Sequence, residues 1–300
     1  MLHSYAFQNF QSFAERVEIS LVLNNKTPTR GWEIASPSGQ RVTTALALMG
    51  ANGAGKTAAL KPLAFVNWFV KESFAASPDS PIPVFAHFAH VNEPTVIEVE
   101  ADDTQGTLWR YVLRFNQTRV LHESLHRKRK RFAYVFERDW EAALERYVVK
   151  QQDFGMNPVE AAKVRSNTSL ISAAWHHGLE TAAHIVSLDV ATNVTILGRD
   201  NYHRSHIPFA AKVFGEKSAA RQQMSQLLSN WDLGLREVRV EEIEVTRDDG
   251  TRGKHWMAYG AHSAKRKKAE LPMEFESSGT QSAFLLLSRL LPILNEGVSR

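Results

Sequence analysis

The sequence of 300 residues contains no cysteine. That excludes disulfides, thiol nucleophiles and every zinc or iron–sulfur site built on thiolates, and it suits a reducing compartment. Long apolar runs are missing as well. The longest candidate, Ala283 to Leu294, is interrupted by Ser288, Arg289 and Pro292, and it falls short of the roughly 18 residues that a spanning helix requires. The opening residues, Met1-Leu2-His3-Ser4-Tyr5-Ala6-Phe7, have no basic segment followed by an apolar core, so no secretory signal is expected. The expected location is the cytoplasm, with no membrane contact. A Gly-x-Ser-x-Gly elbow and a His-Glu-x-x-His pair are also absent, which removes two sequence signals of serine hydrolases and zinc peptidases. His176-His177 has no further ligand at metal spacing and reads as a pair at a helix end. Charge of one sign is scarce in bulk, the net value being only +4. The basic residues are nevertheless clustered, in Arg127-Lys128-Arg129-Lys130-Arg131 and Lys265-Arg266-Lys267-Lys268. Each run reads as a solvated turn or as a contact for nucleic acid or an acidic partner.

What is present is a globular composition, 43% hydrophobic and 23% charged, on a chain long enough for about two domains. The most informative stretch is Gly50-Ala51-Asn52-Gly53-Ala54-Gly55-Lys56-Thr57, which follows Ala45-Leu46-Ala47-Leu48-Met49 and leads into Ala58-Ala59-Leu60. Glycines let a backbone turn tightly so that successive N–H groups converge on phosphate oxygens. A helix beginning near Lys56 adds its positive N-terminal end. In such a loop Lys56 neutralises the β- and γ-phosphates, and the Thr57 hydroxyl ligates Mg²⁺. The pattern therefore predicts a loop that binds a nucleoside triphosphate with Mg²⁺; ATP as that nucleotide is what the family resemblance below implies.

Along the chain, Tyr5, Phe7 and Phe10 followed by alternating Val17, Ile19, Leu21 and Leu23 predict strands. Arg41 to Met49 reads as the strand feeding the loop, and Lys56 to about Phe74 as the helix leaving it. Closely spaced strand patterns at Thr95–Glu100, Leu108–Phe115, Arg119–His126 and Phe132–Glu137 predict an antiparallel sheet, because parallel neighbours need a longer crossover. From Trp140 the pattern reads as helical, with a capping-box start at Asn157-Pro158-Val159-Glu160. Further helices are expected near 181–190, 207–214 and 217–230, then strands at Val238–Val245 and Lys254–Tyr259 around an Asp248-Asp249-Gly250 turn. A last helix begins near Ser278, after Glu274-Phe275-Glu276-Ser277 and with Gly279-Thr280-Gln281 in its first turn. Small polar residues at such a start form either a plain N-cap or a second anion site.

Taken together, Phe7-Gln8-Asn9-Phe10-Gln11-Ser12-Phe13, the Gly50–Thr57 loop and Glu276-Ser277-Ser278-Gly279-Thr280-Gln281 resemble the ABC-class AAA-family ATPases of the RecF, SMC and OLD-like type. Within that class the chain is most similar to prokaryotic abortive-infection and phage-defence ATPases of the Septu, PARIS and retron-associated kind. Asn167 to Ser172, and the Leu271-Pro272-Met273-Glu274 lead-in to the last helix, are further points of likeness. The resemblance implies an α/β fold: a P-loop NTPase of ABC-ATPase type, with a mixed sheet, an antiparallel β subdomain and a helical insertion. Residues 1–138 would form an N-terminal ATPase lobe with the P-loop and antiparallel subdomain, 139–235 the helical insertion, and 236–300 the return to the lobe with the signature-like helix. It also implies that two heads pair head to tail as a homodimer or higher oligomer, with Ser278, Gly279 and Thr280 reaching the γ-phosphate held by the partner. An associated effector, a nuclease or toxin, would be controlled by that pairing.

The same resemblance implies an apolar strand ending in Asp-Glu beyond the signature helix. The sequence to Arg300 contains none, so no catalytic residue is assigned. A fragment, or a chain whose remainder is encoded separately, is expected, with nucleotide binding favoured over turnover. Ile185-Val186-Ser187-Leu188-Asp189-Val190 is the nearest earlier segment, but its Asp is followed by Val and core packing is its expected role. Asn167, Gln151 and Gln152 lie where a γ-phosphate glutamine could sit. A DNA-repair head of the RecF or SMC type and a non-hydrolysing scaffold that restrains a nuclease or toxin are the alternative readings.

Overall fold

The computed structural model describes residues 1–188, 190, 192–198, 203–231, 233–246, 252–264 and 267–295. The backbone divides into two compact units, Met1–Asp200 and Asn201–Arg300. The helices expected as one insertion over 139–235 are thereby shared between them.

The first unit is built on strands β1 (Leu2–Gln8), β2 (Val17–Ser20), a short hairpin of β3 (Glu33–Ala35) and β4 (Arg41–Thr43), then β5 (Thr95–Asp102), β6 (Leu108–Phe115), β7 (Val120–Lys128), β8 (Phe132–Glu141) and β9 (Arg146–Gln151). All but the hairpin form one seven-stranded sheet in the order β2-β1-β5-β6-β7-β8-β9. Period-2 patterning decides which face is covered. In β6 the side chains of Trp109, Tyr111, Leu113 and Phe115 are buried, while Arg110, Val112 and Arg114 are less covered. Helix α1 (Lys56–Glu72) lies on the buried face. Its Phe65 stacks on Phe115 with ring centroids 4.8 Å apart and on its own Phe69 at 5.5 Å. The buried Tyr5 hydroxyl donates to the Ala59 carbonyl at 2.9 Å, and burial pushes that phenol up to about 12. One hydrogen bond thus fixes the first turn of α1 to β1.

Three expectations are corrected here. Every strand pairing among the described residues is antiparallel, where a mixed sheet was expected. The strand expected over Arg41–Met49 ends at Thr43, because its pairing with β3, which starts at Glu33, and its bridge to Val22 both stop there, and the Trp32 carbonyl accepts the Thr44 N–H at 2.8 Å. Beyond that point the apolar run has no partner strand, and Leu46 and Met49 are exposed. The helical reading from Trp140 fails at β9: Ala142, Ala143 and Leu144 are good helix formers but sit in a turn closed by Glu145 at φ 47°. Tyr147 then packs edge-on to Trp140 at 5.1 Å across the β8–β9 pair. Beyond the sheet, α2 (Pro158–Lys163) starts as expected, with Asn157 Oδ1 accepting from the N–H groups of Val159 and Glu160. It is followed by α3 (Leu170–His176) and α4 (Glu180–Ser187). The Ile185–Val190 segment is therefore largely the end of a helix, and Asp189 lies outside the described residues.

The second unit holds α5 (Ile207–Glu216), α6 (Ser218–Asn230), a three-stranded sheet of β10 (Glu237–Thr246), β11 (Arg252–Ala264) and β12 (Lys267–Pro272), and α7 (Ser278–Asn295). Phe214 meets Phe284 at 5.1 Å over a core that includes Met224, Leu228 and Leu287. The Asp248-Asp249-Gly250 turn, Lys265 and Arg266 lie outside the described residues. Among the described residues no helix is long and apolar enough to cross a membrane.

The end of β5 carries a buried carboxylate. Asp102 Oδ2 accepts from the Ser38 N–H at 2.9 Å and faces His3 Nε2 at 3.0 Å, while Oδ1 lies 3.0 Å from the Met1 amine. Burial pushes this acid up, but donation from the Ser38 N–H, the Met1 amine and the Ser36 and Ser38 hydroxyls outweighs it and holds the acid well below its usual range. A carboxylate depressed on folding adds stability above its unfolded pKa of about 3.9 and loses that contribution as the pH falls toward the folded value. Thermal melts between about pH 5 and pH 2 should therefore show a steep loss of stability in the wild type. Asp102→Asn, less stable at neutral pH, should show a shallower loss; parallel curves would remove Asp102 from the acid response.

Candidate phosphate-binding site

The loop Gly50–Thr57 opens directly into α1. Gly55 is its N-cap in the left-handed region, φ 83° and ψ 9°, where a side chain is strained. A Cβ there would also stand 2.9 Å from Ser12 Oγ and 3.1 Å from Phe13 Cζ. Glycine is thus required twice at this position. No side chain caps the helix and its first turn holds no acidic residue, so the leading N–H groups and the positive end of the helix are presented without a competing anion. Lys56 Nζ donates to the Gly50 and Ala51 carbonyls, each at 2.7 Å. These bonds draw the ammonium back over the loop. Gly50, Ala51, Asn52, Gly53, Ala54 and Thr57 are all exposed.

The chemistry fits a bound polyphosphate: the uncapped N–H groups at the start of α1, one ammonium and a hydroxyl. For Mg²⁺ the loop offers the Thr57 oxygen. That fits a cation which keeps several waters and binds through one or two protein oxygens plus phosphates. Among the described residues no group of three or more His, Asp or Glu side chains could hold a metal by itself.

The turn Asn9–Phe13 braces this loop, a role that its sequence spacing did not disclose. Asn9 and Gln11 adopt positive φ, 52° and 50°. The Phe7 ring packs on those of Phe13 and Phe10 at 5.1 and 6.2 Å, which places Ser12 and Phe13 against Gly55. Asn9 in turn fixes the segment His87–Glu93. Its Nδ2 donates to the His90 and Glu93 carbonyls at 2.9 and 2.8 Å, and its Oδ1 accepts the His87 N–H at 2.8 Å.

In the second unit Ser277 caps α7. Its Oγ accepts the Thr280 N–H at 3.1 Å and pairs with Thr280 Oγ1 at 2.8 Å. Gln281 Nε2 donates to the Glu274 and Glu276 carbonyls, and the buried Glu276 meets His262 Nε2 at 2.7 Å. Ser278 and Gly279 face outward, whereas Thr280 is buried and its hydroxyl serves the cap. The basic run Arg127–Arg131 forms the β7–β8 hairpin, with Arg127 and Arg129 reaching Asp153 at 3.3 and 3.5 Å.

Loop, helix and sheet together define a P-loop nucleotide-binding domain. The family model described as "AAA domain, putative AbiEii toxin, Type IV TA system" matches residues 46–294. The chain belongs to that family and is an AAA-type ATPase domain of the toxin–antitoxin kind. No curated protein matches it.

Within the matched span, Asn167–Ser172 contributes to structure. Asn167 Nδ2 donates to the Ser77 and Ser80 carbonyls, both at 2.9 Å, and Ser172 Oγ donates to the Lys71 carbonyl at 3.0 Å. Gln151 Nε2 is likewise committed to the Met156 carbonyl at 2.7 Å, and Gln152 is exposed. Beneath this segment lies a fully buried pair, Glu123 and Arg138. Arg138 donates to the carbonyls of Val164, Arg165 and Thr168 at 2.7 to 2.9 Å and stacks on Tyr147 at 3.8 Å. Glu123 accepts from Tyr111, from Ser169 Oγ and from the Leu170 N–H at the start of α3. The pair saturates the backbone between α2 and α3. Arg138→Met leaves the buried Glu123 without its cationic partner and removes the donors to those carbonyls, so chemical denaturation should register a loss of about 3–5 kcal/mol. A loss below about 1 kcal/mol, the worth of an exposed ion pair, would contradict the clamp.

Proposed function

We propose that this ATPase domain binds Mg-ATP in the Gly50–Thr57 loop and works as a head of the ABC, RecF and SMC type. In this reading copies of the chain pair around the nucleotide, and their pairing governs an associated nuclease or toxin in phage defence. The observation that carries the first part is the seating of Lys56 over a glycine-shaped loop at the uncapped start of α1. There the N–H groups orient the phosphates, Lys56 neutralises the β- and γ-oxygens, and the Thr57 hydroxyl takes one position on Mg²⁺. The metal, when bound, would supply charge neutralisation between the β- and γ-phosphates.

The pairing rests on the start of α7. Ser278 and Gly279 are exposed in the first turn of a helix whose cap is already supplied by Ser277 and Thr280. Their N–H groups and the Ser278 hydroxyl are thus available to an anion held by another copy, with Thr280 as the anchor behind them.

Two substitutions test the parts separately. Lys56→Ala removes a charge-assisted contact and should weaken ATP binding by about 1.5–3 kcal/mol in titration calorimetry; an unaltered affinity contradicts the assignment. Gly279→Asp places a carboxylate in a first helical turn, where the fold accepts it, yet opposes a γ-phosphate arriving from a second copy. It should leave monomer binding intact and abolish ATP-dependent dimerisation in light scattering; dimerisation at wild-type nucleotide concentration rules out the trans contact.

A further inference from the structure

A nucleoside triphosphate held by its phosphates sets its base down a ribose's length from the loop, and the protein must offer that base a surface or leave it in water. The segment Phe85–Val91 stands beside the loop through the Asn9–Phe13 turn. Ser12 and Phe13 abut Gly55 on one side. On the other, the Gln11 N–H donates to the Phe85 carbonyl at 2.7 Å and the His87 N–H to Asn9 Oδ1 at 2.8 Å. The segment is held in shape by its own bonds as well, His90 N–H to the His87 carbonyl at 2.8 Å and His90 Nδ1 to Glu93 Oε1 at 2.7 Å. Yet its large side chains are turned out: Phe88 is 85% exposed, Val91 65% and Phe85 55%. Apolar side chains held outward on a braced backbone mark a binding surface.

His87 adds a polar group of defined sense. Its ring lies 4.3 Å from that of Phe88, and its Nδ1 accepts the Ala89 N–H at 3.2 Å. With Nδ1 accepting, Nε2 is the ring's donor, on a ring that lies against that of Phe88. An aromatic face with one flanking N–H donor matches a flat heterocycle carrying ring-nitrogen acceptors.

We propose that Phe88 and His87 form the base subsite of the nucleotide site, Phe88 by stacking on a purine and His87 by donating from Nε2 to a ring nitrogen. This rests on the phosphate-loop reading given above. Because Phe88 is almost wholly exposed, its replacement leaves the core untouched, and the effect can be read on the full chain.

The experiment compares Mg-ATP with inorganic tripolyphosphate, which has the phosphates and no base, by titration calorimetry of the wild type, Phe88→Ala, Phe88→Trp and Lys56→Ala. Phe88→Ala should weaken ATP about tenfold, the worth of one stacked base, and leave tripolyphosphate unchanged. Phe88→Trp should keep the ATP affinity and add to the emission of the seven native tryptophans a component, read as the difference from wild type, that ATP quenches and tripolyphosphate does not. Lys56→Ala should weaken both ligands. The base subsite is overturned if Phe88→Ala leaves ATP binding unchanged, or weakens the two ligands alike, while Lys56→Ala behaves as stated. Should Lys56→Ala alter neither ligand, the phosphate-loop reading fails and the subsite fails with it, by a different signature.

Discussion

The stack of Phe65 and Phe69 on Phe115 is the contact on which the first unit's geometry depends. It seats α1 on the sheet, and the Tyr5–Ala59 hydrogen bond then fixes the near end of that helix. Aromatic pairs of this kind contribute about 0.5–1.5 kcal/mol each beyond their buried area. Their larger effect is directional, because the loop at the front of α1 inherits whatever orientation the stack imposes. Gly55 can then be approached by Ser12 and Phe13, and the Asn9–Phe13 turn carries the same orientation on to residues 85–93. Core packing, a strained turn and a phosphate cradle form one mechanical series.

The second unit repeats the principle on a smaller scale. Phe284 on α7 meets Phe214 on α5, which seats the signature-like helix, while Ser277, Thr280 and Gln281 tie its first turn to the preceding backbone. Ser278 and Gly279 face out beside the exposed Ser277, while Thr280 is buried. In both units the start of a helix is held by interior aromatic contacts.

Much of this was legible in the sequence because it is local. The glycine spacing of residues 50–57, the period-2 runs of β5 to β8 and the Asn157-Pro158 helix start depend on neighbours a few residues away. The failures were non-local. Residues 45–49 read as a strand by composition, yet a strand exists only beside a partner, and β3 runs out at Trp32. The β9 strand was hidden behind the helix-forming Ala142-Ala143-Leu144, and only the Trp140–Tyr147 contact across the hairpin reveals it. The bracing role of Asn9, Ser12 and Phe13 was likewise out of reach, since it needs residues 55 and 85–93 brought alongside. The pairing of the buried Thr280 with Ser277 in the cap of α7 was likewise not legible from residue type alone.

The Gly50–Thr57 loop is the proposed nucleotide site. Its most direct measurement is a crystal structure of the full chain with Mg²⁺ and a non-hydrolysable ATP analogue. The account predicts the triphosphate inside the loop, Lys56 Nζ on the β- and γ-oxygens and Thr57 Oγ1 on the metal. A triphosphate bound elsewhere, or a loop left empty at saturating analogue, would contradict it.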